Sequence, residues 1–345
     1  IDNPALFFNT VLYTGNGSTQ SITGAGFKPD WVWIKDRTNA NSHRLNDIVR
    51  GATKYLISSA TSAEATESAG LTSFDSDGFS LGSNSDFNGN SANLASWNWL
   101  AGGGQGSSNT DGSINTTYTS ANTTSGFSIV KYTGTGSNAT VGHGLGAAPS
   151  MIIFKNTNST RDWGVYHAGM NDPDAYLTLN QNYAKEASYN FSNNTAPTSS
   201  VFSVGTLTSN NGSSQEYIAY CFAGKTGYSK FDSYTGNGNA NGPFVYTGFK
   251  PAFLITKTAS ATYHWSTNDN KRNTFNPVDK RLYPSQDAVE ATNDSYDVDF
   301  LSNGFKIRSS SVSFNNSGDN VIYMAFAKNP FVGNDSGTAV PVTAE

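Results

Sequence analysis

The chain states one arrangement of residues three times, and internal repetition decides an architecture before any other signal is read. Tyr13-Thr14-Gly15-Asn16-Gly17 returns as Tyr132-Thr133-Gly134-Thr135-Gly136 and again as Tyr234-Thr235-Gly236-Asn237-Gly238. Downstream of each, a proline opens an apolar run that ends in lysine: Pro29 to Lys35, Pro149 to Lys155 and Pro251 to Lys257. The proline-to-lysine interval is constant. Each copy then shows a Phe-centred strand, at Phe79, Phe202 and Phe305, followed by a turn rich in Asn, Gly and Ser. Each closes on Ser96-Trp97-Asn98-Trp99, Ala219-Tyr220-Cys221-Phe222 or Tyr323-Met324-Ala325-Phe326. The units lie near 6–101, 127–224 and 230–330, which is domain size and not the length of a solenoid repeat. Each is therefore expected to own a core and to fold alone.

The periodicity within a unit is that of strands. Apolar residues alternate or come in short runs bounded by Gly, Asn, Asp or Ser. Asn-Gly pairs at Asn16, Asn88, Asn211, Asn237, Asn241 and Asn303 suit tight hairpin turns, because both residues accept positive φ. Charged residues are 14% of the chain, against about 25% in an ordinary soluble protein, while aromatics reach 13%. Small polar residues with many aromatics are the composition of an all-β protein with many turns. The expected fold is three tandem antiparallel β-sandwiches: residues 1–103, 126–225 and 226–330. Residues 104–125, rich in Gly, Ser and Thr, read as a linker, and 331–345 as a C-terminal tail. Only Leu45–Glu67 carries a helical signal, and a short helix or a loop excursion is expected there.

Reactive chemistry is harder to find. The net charge is −5 and no cluster of Lys and Arg exceeds the two pairs Lys271-Arg272 and Lys280-Arg281, which argues against a nucleic-acid ligand. A single cysteine, Cys221, excludes an intramolecular disulfide and a multi-thiolate metal site, and reads as a packed small residue. No apolar run is long enough to cross a bilayer as a helix. The chain begins without Met or a signal peptide's apolar core, so it is expected to be either processed or a trimmed piece. His43, His143, His167 and His264 show no zinc spacing, and no nucleophile–base pairing or cofactor fingerprint appears; neither a catalytic residue nor a cofactor is assigned. A glycosidase would need a carboxylate pair across a cleft, and nothing singles one out.

The best binding candidates are Trp163 and Trp265, with His43, all eight residues past the strand lysine of their copies. An exposed Trp there would stack on a sugar ring; the alternative is a core or interdomain anchor. Asp75, Asp77 and Asp86 stand in fragments that resemble calcium loops, although turn formation explains the same residues.

The strings Tyr-Thr-Gly-Asn-Gly-Ser, Gly-Phe-Lys-Pro-Asp-Trp-Val-Trp-Ile-Lys, Asp47-Ile-Val-Arg-Gly51 and Phe74-Asp-Ser-Asp-Gly-Phe79 together resemble a repeated domain in virion proteins of marine tailed phages, cyanophages especially. Gly126-Phe-Ser-Ile-Val-Lys-Tyr-Thr-Gly134, Val141-Gly-His-Gly-Leu145 and Phe244-Val-Tyr-Thr-Gly-Phe-Lys-Pro251 are similar to the same proteins. The resemblance covers nearly the whole chain. It implies a non-enzymatic component of the virion surface: a tail fibre or tail-tip protein, a head fibre or a capsid decoration. Its sandwiches would be of the lectin-like, jelly-roll kind. The expected partners are other virion proteins and copies of the chain itself, as a homotrimer, with no nucleic acid and no membrane. The alternative is a glycan-binding adhesin that recognises host surface glycans; a polysaccharide depolymerase ranks last.

Overall fold

The computed structural model describes residues 1–292 and 296–330. The tail expected over 331–345 lies outside the described residues. The fold is all-β: antiparallel sheets, with helices of only three or four residues.

Each repeat builds a sheet in the same strand order. In the first, the opening strand Phe8–Thr14 pairs with the closing strand Asn93–Trp99, which pairs with Trp31–Asp36, which pairs with the edge strand Arg44–Asp47. The third repeats this order with Ser229–Thr235, Asn320–Pro330, Phe249–Thr258 and Ser266–Asp269. In the second, Phe127–Thr133, Glu216–Phe222, Met151–Asn156 and Gly164–His167 form the centre of a seven-stranded sheet. A smaller sheet lies over each. It is made of Gln20–Thr23, Gly78–Leu81 and Leu71–Asp75 in the first repeat, and of Phe244–Tyr246, Gly304–Ile307 and Val298–Leu301 in the third. In the second it is the pair Ala139–Gly142 and Val201–Val204.

The large sheets are buried on both faces, which is why their strands read as near-continuous apolar runs. Side chains alternate between two cores. Val32, Ile34 and Leu94 turn to the small sheet of their own repeat, where they meet Ile22, Phe79 and Leu81. Trp31, Trp33, Trp97 and Trp99 turn the other way, into a core to which every repeat contributes. Ile218, Tyr220 and Phe222 enter the same core from the second closing strand, and Ile322, Met324 and Phe326 from the third. Trp31 stacks on Tyr220 with ring centroids 4.3 Å apart, and Phe8 on Phe326 at 4.9 Å. The repeats therefore differ from the expected independently cored domains. Each keeps a private core, but the aromatics on its other face are covered by the other two repeats.

Residues 104–125 also differ from the expected linker. Tyr118–Asn122 pairs along Phe127–Thr133 as the outer strand of the second sheet, and Ile114 is buried in the second repeat's private core. Polar composition did not prevent this, because the strand's backbone groups are satisfied by pairing and Ser120 donates to the Gly104 carbonyl. Leu45–Glu67 forms a loop excursion with the short strand pair Lys54–Tyr55 and Ala65–Thr66. Among the described residues no helix is long and apolar enough to cross a membrane.

Candidate functional site

The signature Tyr-Thr-Gly-x-Gly is a lock. Tyr13, Tyr132 and Tyr234 donate their hydroxyls to the carbonyls of Phe87, Asn210 and Phe314. The next residues, Asn88, Asn211 and Asn315, are fully buried. Each accepts a backbone N–H of the signature turn, from Asn16, Thr135 and Asn237. Each also donates to carbonyls across it: Ser18 and Gly82, Ser137 and Gly205, Asn239 and Ser309. A Cβ on Gly15, Gly134 or Gly236 would collide with the carbonyl oxygen just after that Asn, while Gly17, Gly136 and Gly238 sit at φ near +70°. Asn88 and Asn211, expected in hairpin turns, are thus buried clamps.

A second set of equivalent residues joins the repeats to one another. His43, Trp163 and Trp265 occupy the same position and are all buried, so none offers a ring face for a sugar. The His43 Nε2 donates to the Tyr283 carbonyl, the Trp163 indole to that of Ile57, and the Trp265 indole to that of Thr178. First reaches third, second reaches first, third reaches second: the ring closes. Backbone bonds repeat the cycle, with Glu64 N on Thr157 O, Lys185 N on Ala259 O and Glu290 N on Arg37 O. The anchor alternative, not the stacking one, is where these three side chains lie.

The strand lysines belong to the same seams. Lys35 donates to the carbonyls of Asp36, Asn39 and, in the third repeat, Asp287. Lys155 donates to Asn156, Arg161 and, in the first repeat, Thr61. Among the described residues Lys257 reaches only Thr258 and Ala261, both within the third repeat. Burial lowers all three ammonium groups, Lys35 and Lys155 to about 8 and Lys257 to about 7. At the end of each edge strand stands a buried polar residue. Asp47 accepts from the Tyr220 hydroxyl, Asp269 accepts from the Trp97 indole, and His167 donates to the Tyr323 carbonyl. Asp47 and Asp269 hold buried guanidinium groups three residues on, Arg50 and Arg272, each at 2.5 Å. Burial pushes His167 down to about 4.

The calcium candidates are scattered and already engaged. Asp75 accepts from Ser73 and Ser80, Asp77 accepts the backbone N–H groups of Gly24 and Gly26, and Asp86 pairs with Arg44. No cluster of three metal-ligating side chains occurs among the described residues. Cys221 is buried in the second private core, and burial pushes its thiol up.

An open cleft of about 560 Å³ lies at one seam, between the opening strand of the first repeat and the loop after the third edge strand; another, of about 480 Å³, lies where the second and third repeats meet and is lined by Ser150, Lys225, Lys230 and Tyr246. Lys250, Lys271 and Lys328 line the larger cleft together with Asn9, Thr10 and Phe275, whose side chain is 83% exposed. No residue lining it is acidic among the described residues. The sequence reading passed over this site; the only signal was the pair Lys271-Arg272, of which Arg272 turns inward to Asp269 and Lys271 outward.

Fold and seams define a single-chain assembly of three fused β-units. The chain belongs to the family described as domain of unknown function (DUF7483), whose model matches residues 3–330. No curated protein matches the chain.

Proposed function

We propose that the chain is a non-enzymatic structural protein of a phage virion surface, serving assembly or host attachment. In this reading its three units are sandwiches of the lectin-like, jelly-roll kind. The observation that carries it is the use made of the repeated residues. The signature Tyr, Gly and clamp Asn hold turns, and the strand lysines and His43, Trp163 and Trp265 hold seams. What the three copies have in common is a rigid block, which is what a particle exterior requires. The resemblance to virion proteins of marine tailed phages supports the same reading. Its partners are then other virion proteins and further copies of the chain. A homotrimer would have to use surfaces outside the ring, because the ring's own contacts are already made within one chain. The test is immunogold labelling, with an antibody to this chain, of intact particles of a phage that encodes it. Label on the particle surface is expected, and purified particles that lack the chain would overturn the proposal.

A glycan-binding adhesin is the second reading, and the observation that favours it is the seam cleft with its exposed Phe275. It no longer depends on His43, Trp163 or Trp265.

A further inference from the structure

The same seam occurs three times, between one repeat's opening strand and the loop that follows the neighbouring edge strand. Between the first and second repeats it is filled. Tyr118–Asn122 lies along the opening strand, and Gln105 donates to the Val49 carbonyl in the facing loop. Between the second and third the facing turn makes direct contact, with a cleft of about 480 Å³ beside it. The turn Ala168–Met170 sits so close that a Cβ on Gly169 would come 3.0 Å from the Asp232 backbone. Between the third and first neither device is present, and the cleft opens.

The position that most distinguishes this seam is Thr10. In the opening strands Thr10 faces Trp97, Ile129 faces Tyr220 and Phe231 faces Met324, so the three are equivalent. Ile129 and Phe231 are apolar members of the shared core, whereas Thr10 puts a hydroxyl there. Thr10 is 4% exposed, lines the cleft, and its Oγ has no hydrogen-bond partner among the described residues. Two sister positions avoid a buried hydroxyl without a partner by placing hydrocarbon there.

We propose that this cleft binds an acidic oligosaccharide, one carrying carboxylate or sulfate groups. The ammonium groups of Lys271 and Lys328 meet the anionic substituents, in a chain whose overall net charge is −5. Asn270 offers an amide that pairs with sugar hydroxyls, and Phe275 gives an apolar ring for a pyranose face. An acidic peptide would use the lysines but would leave the amide lining and the ring without a role. The inference deepens the adhesin reading but concerns binding alone, so its outcome is independent of whether the chain is found on particles.

The test is calorimetric titration of the whole chain with tetragalacturonate, a heparin tetrasaccharide, neutral maltotetraose and a hexaglutamate peptide. At least one acidic sugar is expected to bind ten-fold or more tighter than maltotetraose and hexaglutamate, and more weakly as salt is raised. The exposed pair Lys271→Glu and Lys328→Glu should weaken it at least ten-fold, Phe275→Ala at least three-fold. Thr10→Val, isosteric and without the orphan hydroxyl, should leave binding unchanged, because that oxygen is closed off from the cleft, while the melting temperature holds or rises. Lys225→Glu, at another seam, is the control. Equal binding of hexaglutamate, an equal loss in the Lys225 variant, or undiminished binding in the double variant would each overturn the proposal, as would no acidic sugar binding better than maltotetraose.

Discussion

Replacing Trp31 by Ala tests the shared core directly, because this ring belongs to the first repeat and rests on the second. Trp31 is fully buried, stacked on Tyr220 at 4.3 Å and close to Trp99 at 4.5 Å and Phe127 at 5.8 Å. Truncating a buried Trp costs about 3–5 kcal/mol through lost transfer energy and the cavity left behind. The three cross-repeat ring pairs, with Tyr220, Phe127 and Phe222, at roughly 0.5–1.5 kcal/mol each, place the loss at the top of that range, about 5 kcal/mol. That corresponds to a roughly 4,000-fold rise in the open fraction. Hydrogen exchange read by mass spectrometry at peptide level is the assay. If the three repeats unfold as one unit, the slowest amides of all three closing strands lose protection by the same free energy. Those strands are Asn93–Trp99, Glu216–Phe222 and Asn320–Pro330. Faster exchange confined to residues 1–103, with the other two closing strands unchanged, would refute the argument.

Three further outcomes are expected. Asn315→Ala removes a buried clamp that donates to Asn239 and Ser309 and accepts from Asn237, and should cost about 2–4 kcal/mol in urea unfolding. The exposed Asn241→Ala should change it by less than about 0.5 kcal/mol. Asp269→Asn leaves the buried Arg272 guanidinium with Glu290, at 3.3 Å, as its anionic partner, and should destabilise by about 2 kcal/mol, read as a lowered urea midpoint. The three seam lysines have folded values of about 7 to 8, below the ordinary 10.5, so between those values and 10.5 the unfolded chain holds the extra protons. Stability should therefore climb as pH rises from 7 to 9, below the range where the buried tyrosines and Cys221, whose values burial raises, pull the other way; the climb should shrink in Lys257→Met, and urea midpoints that stay flat or fall between pH 7 and 9 would contradict the lysine environment.

Strand content and the threefold repetition were legible because a sheet's period is written locally, in residues two apart. What the alternation could not say is what covers each face. Trp97 and Trp99 were readable as one face and Asn98 as the other, but both faces are buried, and the partner of the tryptophan face comes from more than a hundred residues away. The same distance hid the seams. Trp163 and Trp265 share a position with His43, a polar-tipped residue at a loop, which reads equally as a surface platform or an anchor. Only the carbonyls of Ile57, Thr178 and Tyr283, in other repeats, separate the two. Residues 104–125 look like a linker because their composition is polar, yet a strand needs only a free backbone edge beside it, and Phe127–Thr133 supplies one. The clamps Asn88 and Asn211 were hidden behind Asn-Gly pairs that more often mark hairpins. Thr10 was invisible until its register against Trp97 aligned it with Ile129 and Phe231.

The fusion of three units in one polypeptide has a consequence for how such a scaffold can diversify. In a ring of three identical subunits, every substitution is made threefold, so a junction that opens for one purpose opens everywhere and weakens the whole circle. Here the genetic copies are separate. One junction has gained a strand, another closes in around a glycine beside a smaller cleft, and the remaining one keeps a wider gap.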